Sequence, residues 1–202
     1  MKPEPIPGVE YLKTSDPNLV DQANRHQYEV FSEYGYLGEG PYINEVSQYP
    51  SIYFVAVSEG VVVGCVRMVT KSSLGFPTVT WLKLWPNWEA EAKRIANTKA
   101  SEEILFSTVK KGWRRRGNAS IILNLYRLLL QDALERGVEY WFTTIDEKLF
   151  PYFAMVFNFK FEPMGDAQDL LGAPSIPTVM EIRRGVEQLR EADPELAGFV
   201  TS

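Results

Sequence analysis

Apolar positions along this chain follow two periods. From about Asn18 to Tyr34, Leu19, Val20, Ala23, Tyr28, Val30 and Phe31 recur at helical spacing, with Asp16-Pro17 as a start signal and Gly35 as a stop. Ile52 to Val57 and Val61 to Val69 are β-rich runs joined by Ser58-Glu59-Gly60, a hairpin signal. Thr78 to Leu82 predicts a third strand, and Trp85 to Thr98 a helix with Trp88, Ala92 and Ile95 inward. A buried strand is expected from Glu102 to Val109. The helix from Ile121 to Arg136, ended by Gly137, carries Ile121, Ile122, Leu125, Leu128, Leu129 and Leu130, too apolar for a free surface element. Tyr140 to Ile145 reads as a strand, Glu147 to Phe157 as a helix, and Lys160 to Pro163 and Thr178 to Ile182 as strands. The tail from Val186 to Ser202 is helical in pattern, then polar. Residues 1–15 open on Met1-Lys2-Pro3-Glu4-Pro5-Ile6-Pro7-Gly8 and read as a loosely ordered arm. With no repeat, low-complexity block or linker, residues 1–202 read as one α/β domain.

Composition narrows the chemistry. A chain of 202 residues with 45% hydrophobic and 23% charged residues can bury a sizeable core. No apolar run is long enough to span a membrane, and the proline-rich start has no apolar signal core, so a cytoplasmic protein is expected. The single Cys65 leaves no internal disulfide or cysteine metal cluster. His26 is the one histidine and reads as a surface residue, so neither a histidine triad nor a metal site is expected. Catalysis must then rest on carboxylates, hydroxyls and backbone groups. A net charge of −5 argues against general nucleic-acid binding. The basic residues Lys110, Lys111, Arg114, Arg115 and Arg116 therefore suit one anionic group or a small acidic partner surface.

Those basic residues sit on a turn between a strand and a helix. The segment Arg114-x-x-Gly117-x-Ala119 places a glycine where unpaired N–H groups and a helix N-terminus can converge on a phosphate. In its strand–turn–helix setting it resembles the pyrophosphate loop of the GNAT acyltransferase superfamily. The element order of the whole chain is similar to that fold, which implies a single α+β domain with a mixed, mostly antiparallel sheet of six to seven strands flanked by helices. Arg25-x-x-Tyr28-x-Val30-Phe31, Tyr36-Leu37, the run ending Gly64-Cys65-Val66-Arg67, Phe161-Glu162-Pro163-Met164-Gly165, Gly172-Ala173-Pro174 and Val179-Met180 resemble acyl-homoserine-lactone synthases and N-acyl amino acid synthases.

The resemblance implies a thioester donor, acyl-CoA or acyl-phosphopantetheine on an acyl carrier protein, as co-substrate rather than as a tightly bound cofactor. Phe106, Ser107, Thr108 and Val109 would contact its arm. Gly117, Asn118 and Ala119 would supply amides to the phosphate, with Arg114 and Arg116 contacting phosphate or an acidic carrier protein. Glu103 is the candidate base that deprotonates an amine. Glu102 faces the other way in a regular strand, and the bland alternative is that both are solvated strand-end carboxylates. The tyrosine that many members carry on the helix after strand five is replaced by Val156, leaving Tyr152 as the nearest substitute. The homoserine-lactone synthases hold adenosylmethionine with aspartates, but Asn44-Glu45-Val46-Ser47-Gln48-Tyr49 offers one carboxylate, so an amino acid or other small amine is the expected acceptor. Arg67, on a valine-rich strand, and Arg25 are candidates to hold its carboxylate, and Phe31 to line the acyl site. An acetyl-CoA-dependent N-acetyltransferase, an acyl-homoserine-lactone synthase and a non-catalytic acyl-CoA-binding module stay open.

Overall fold

The computed structural model describes residues 6–36, 46–114, 120–151, 153, 160–170 and 172–202. Strand β1 (Val9–Thr14) precedes helix α1 (Pro17–Glu33), which Asp16 caps by accepting from the amides of Asn18 and Leu19 at 2.9 and 3.0 Å. Gly35 follows α1 at φ 69°, as its stop signal requires. Strands β2 (Ser51–Ser58) and β3 (Val61–Val69) form a hairpin whose two turn residues, Glu59 and Gly60, lie at φ 50° and 76°. Helices α2 (Pro77–Thr80) and α3 (Pro86–Thr98) lead to β4 (Ser101–Val109), then a short 3-10 turn (Lys111–Trp113) and α4 (Ser120–Glu135). Strands β5 (Tyr140–Asp146), β6 (Glu162–Pro163), β7 (Gln168–Leu170) and β8 (Ala173–Glu181) precede α5 (Ile182–Ala192) and α6 (Pro194–Thr201).

The strands form one sheet in the order β1-β2-β3-β4-β5-β8-β6, with β7 also on β8, and every pairing is antiparallel except β4 with β5. Alternation along the strands divides the core between two faces. Phe54, Val66, Met68, Ile104 and Trp141 pack beneath α4, α5 and α6. Val55, Cys65, Val69 and Phe142 face α1, α2 and α3. Gly64 allows α4 to approach the sheet: a Cβ there would stand 2.6 Å from Ile121 Cγ2 and 3.3 Å from Leu125 Cδ1. Among the described residues no helix is long and apolar enough to cross a membrane.

Several expectations change. Part of the supposed arm is β1, paired with β2 from Val9↔Ser58 to Thr14↔Tyr53. Its flanking prolines obscured a strand that is half-buried on one side. The strand expected at Thr78 to Leu82 is instead α2: β-branched residues suggested a strand, but Pro77 at the first helical position favours a turn of helix. Among the described residues the sheet has eight strands, where six to seven were expected, because β1 and the short β7 join it. The tail is two helices, broken at Asp193, whose carboxylate accepts from the Leu196 amide at 2.9 Å. Of the helix expected from Glu147 to Phe157, residues 147–149 form a turn and 150, 151 and 153 are helical, while 152 and 154–157 lie outside the described residues. His26 is not on the surface: at 4% exposure it packs inside with Ala23, Gln27 and Val30, and burial draws its pKa below the ordinary value.

Replacing Gly64 with alanine forces Ile121 away from the sheet. Unfolding free energy should fall by about 1–3 kcal/mol, measurable by urea titration at unchanged slope.

Candidate active site

Strands β4 and β5 run parallel only from Ser101↔Tyr140 to Ile104↔Thr143. The Thr143 hydroxyl closes the junction by donating to the Ile104 carbonyl at 2.8 Å. Beyond it β4 continues to Val109 and β5 to Asp146 with no pairing between them, and the strands splay. A cleft of about 430 Å³ fills the gap, within the roughly 300–1,000 Å³ usual for small-molecule sites.

A register irregularity shapes the β4 wall. Arg67 pairs with Phe106 and Met68 with Ile104, so Leu105 is an extra residue on β4. Glu103 and Phe106 would point to opposite faces of a regular strand. The bulge places both on the face covered by α1 and α2. Phe106 meets Phe31 of α1 edge-on at 5.0 Å between centroids, and both line the cleft.

Glu103 sits beside the junction, 1% exposed. The Thr78 amide reaches its two carboxyl oxygens at 3.2 and 3.1 Å, and the Thr78 hydroxyl donates to Oε1 at 2.8 Å. Thr78 Oγ1 also lies 2.8 Å from Thr144 Oγ1 on the β5 wall. Burial lifts the Glu103 pKa to about 7, against the lowering effect of the Thr78 bonds. Glu102 turns to the opposite face and is also buried, where Arg136 grips it with both terminal nitrogens, Nη2 at 2.9 Å from Oε2. Neither glutamate is a solvated strand-end carboxylate.

Ser107, Thr108 and Val109 complete the β4 wall, and that edge has no strand partner among the described residues. Arg114 lines the far end, donating from Nε to the Val109 carbonyl at 2.7 Å and from Nη2 to Glu33 at 2.9 Å, with its guanidinium 5.0 Å from the Tyr34 ring centre. Arg116, Gly117, Asn118, Ala119 and Tyr152 lie outside the described residues.

Neither acceptor arginine reaches the cleft. Arg25 is an exposed residue on α1 paired with Asp21 at 2.6 Å. Arg67 is 4% exposed, and its guanidinium binds the Val46 carbonyl at 2.7 Å and the Ser51 hydroxyl at 3.0 Å. It holds the segment before β2 against the sheet.

Three cleft features escaped the sequence reading. Tyr126 of α4 places its hydroxyl 3.0 Å from Ser107 Oγ, and burial raises its pKa to about 12. Tyr36 donates to Asp146 Oδ2 at 2.8 Å, and burial, then that bond, raise its pKa to about 12. Thr78 was hidden by its assignment to a strand. The Tyr36-Leu37 fragment was the one signal available for any of them.

No family model matches the chain, and no curated protein matches it by sequence. Solved structures do match its fold. The N-acyl amino acid synthase FeeM from uncultured soil microbes aligns with TM-score 0.70 at 17% identity, over 89% of this chain and 94% of that one. The CoA-dependent acyl-homoserine lactone synthase BjaI, solved with SAM and isopentyl-CoA, aligns with TM-score 0.66 at 19% identity over 94% and 90%. The acyl-homoserine lactone synthase LasI gives 0.61 at 13% identity over 86% and 89%. The fold is that of the GNAT acyltransferases, as the sequence resemblance implied.

Because Glu103 holds its proton to about pH 7 when folded, against an ordinary value of 4.5, the folded state binds more protons between those values. Stability should therefore fall by roughly 3 kcal/mol as pH rises from 4.5 to 7, then level off. Glu103→Gln should remove this fall, seen as converging denaturation midpoints of the variant across pH 5 to 8.

Proposed function

We propose that this chain is an N-acyltransferase that moves an acyl group from a phosphopantetheine thioester, on CoA or an acyl carrier protein, to a small amine. The observation that carries this reading is the gap between β4 and β5 with a buried carboxylate of raised pKa beside its closed end. A linear arm entering from the open end meets the unpaired β4 edge from Leu105 to Val109, whose backbone groups can bind its amides. Arg114 lies at that end, where a donor phosphate would belong. The apolar walls Phe31, Phe106, Ile121, Ile145 and Phe153 suit an acyl chain longer than acetyl.

The amine nitrogen attacks the thioester carbonyl, the C–S bond breaks, and the thiolate leaves without needing a strong acid, since a thiol pKa near about 8.5 makes it a tolerable leaving group. The nitrogen gives up its proton to Glu103, directly or through the hydroxyls of Thr144 and Thr78, which bridge the carboxylate to the cleft. While Glu103 is ionised, the Thr78 hydroxyl donates to it and Thr144 donates to Thr78. Once Glu103 is protonated the same chain can run in reverse, which is what a proton path needs.

With an acyl-CoA donor and an amine acceptor, kcat/KM should rise with pH through about 7 as Glu103 ionises. Glu103→Gln should lower kcat by roughly 100-fold or more and abolish that inflection, with donor binding retained. Full activity in the variant would remove Glu103 as the base. Failure of any acyl thioester to bind would remove the acyltransferase reading.

A further inference from the structure

The charges along the cleft are segregated. Among the described residues that line it, Arg114 is the one cationic side chain, and it stands just past the end of β4. The two carboxylates, Glu103 and Asp146, lie on the walls by α2 and β5. Arg25 and Arg67, the cations available for an acceptor carboxylate, are committed elsewhere.

Asp146 is placed to read the acceptor. It ends β5 on the same face as Phe142 and Thr144, by alternation along the strand. Phe142 pairs with Glu103, so Asp146 stands four residues further along the open wall, roughly 13 Å at about 3.3 Å per residue. Its Oδ2 accepts from Tyr36 at 2.8 Å and its Oδ1 from the Lys148 amide at 2.7 Å. These bonds fix the carboxylate's direction, and each oxygen keeps a second lone pair for a ligand. An acceptor carboxylate would meet two negative groups here, whereas a second ammonium would meet a half-buried, oriented partner.

We infer that the acceptor is an amine bearing a second positive charge, a linear diamine or polyamine, and that Asp146 binds the distal ammonium while Glu103 serves the reacting one. This rests on the acyltransferase reading above and replaces an amino acid with a dication as acceptor. A diamine is symmetric, so either nitrogen can react while the other is held. The held nitrogen stays protonated beside Asp146, and the reacting nitrogen loses its proton to Glu103 as the amide forms and the thiol is released.

Three acceptors that differ at the far end alone test this: diaminobutane, butylamine and aminobutanoate, each with octanoyl-CoA and thiol release as the signal. Diaminobutane should exceed butylamine by about tenfold in kcat/KM, with aminobutanoate weaker than both. Asp146→Asn should reduce the diamine-to-monoamine ratio about tenfold. Calorimetry of diaminobutane with the donor-free protein should show the same loss of affinity in Asp146→Asn, independent of turnover. Preference for aminobutanoate, or a ratio unchanged in Asp146→Asn, would overturn the inference while leaving acyl transfer intact. Absence of both octanoyl-CoA binding and turnover would overturn the two readings together.

Discussion

The structure depends on strand pairing that is made and then abandoned. Over Ser101–Ile104 and Tyr140–Thr143, β4 and β5 share a parallel ladder, and the buried Trp141 and Phe142 fix it from the two faces. Past that point each strand is held from its other side, β4 by β3 and β5 by β8. The register between β5 and β8 runs unbroken from Tyr140↔Glu181 to Asp146↔Ser175. The gap is therefore walled by elements that are rigid without it. An unpaired interior edge would normally be a liability, since each unpaired backbone group must find a partner. In the acyl transfer proposed above, a ligand running along the edge would supply those partners.

That gap explains the state of Glu103. The carboxylate lies on the closed side of the opening, where little water reaches it, so its charge is poorly solvated. Three contacts from Thr78 offset part of that penalty, enough to keep the group within reach of neutral pH. A carboxylate further out on the strand would be ionised but weakly basic, and one without Thr78 would stay protonated. If Glu103 is the base proposed above, the site gives up some folding stability at neutral pH for useful basicity, a common arrangement where function opposes stability.

Much of the frame was legible because its signals are local. The apolar run on α4, the hairpin residues Glu59-Gly60 and the Asp16-Pro17 cap each declare an element within a few positions. The site was less legible, because its contacts join residues that are remote in the chain. Thr78 and Glu103 are 25 positions apart, and Tyr36 and Asp146 are 110 apart. Arg67 looked like an anion binder because a buried guanidinium demands acceptors. It finds them partly in backbone carbonyls, which every sequence possesses and none advertises. His26 could have been placed inside: Ala23, His26, Gln27 and Val30 repeat at three, four and seven positions, the spacing of one helix face.

The bulge at Leu105 links the frame to the chemistry. Without the extra residue, Glu103 and Phe106 would lie on opposite faces of the sheet, and the buried carboxylate would be separated from the aromatic wall by the strand itself. With it, the α1 and α2 side carries Phe31, Phe106, Thr78 and Glu103 together, while Ser107 turns towards Tyr126 on the α4 side. A chain lying in the gap thus meets carboxylate chemistry on one face and a hydroxyl pair on the other. In the acyl transfer proposed above, this asymmetry would orient the two reactants, the amine on the side of Glu103 and the thioester along the β4 edge and the apolar walls. One inserted residue therefore sets which face of the sheet carries both the buried carboxylate and the aromatic wall.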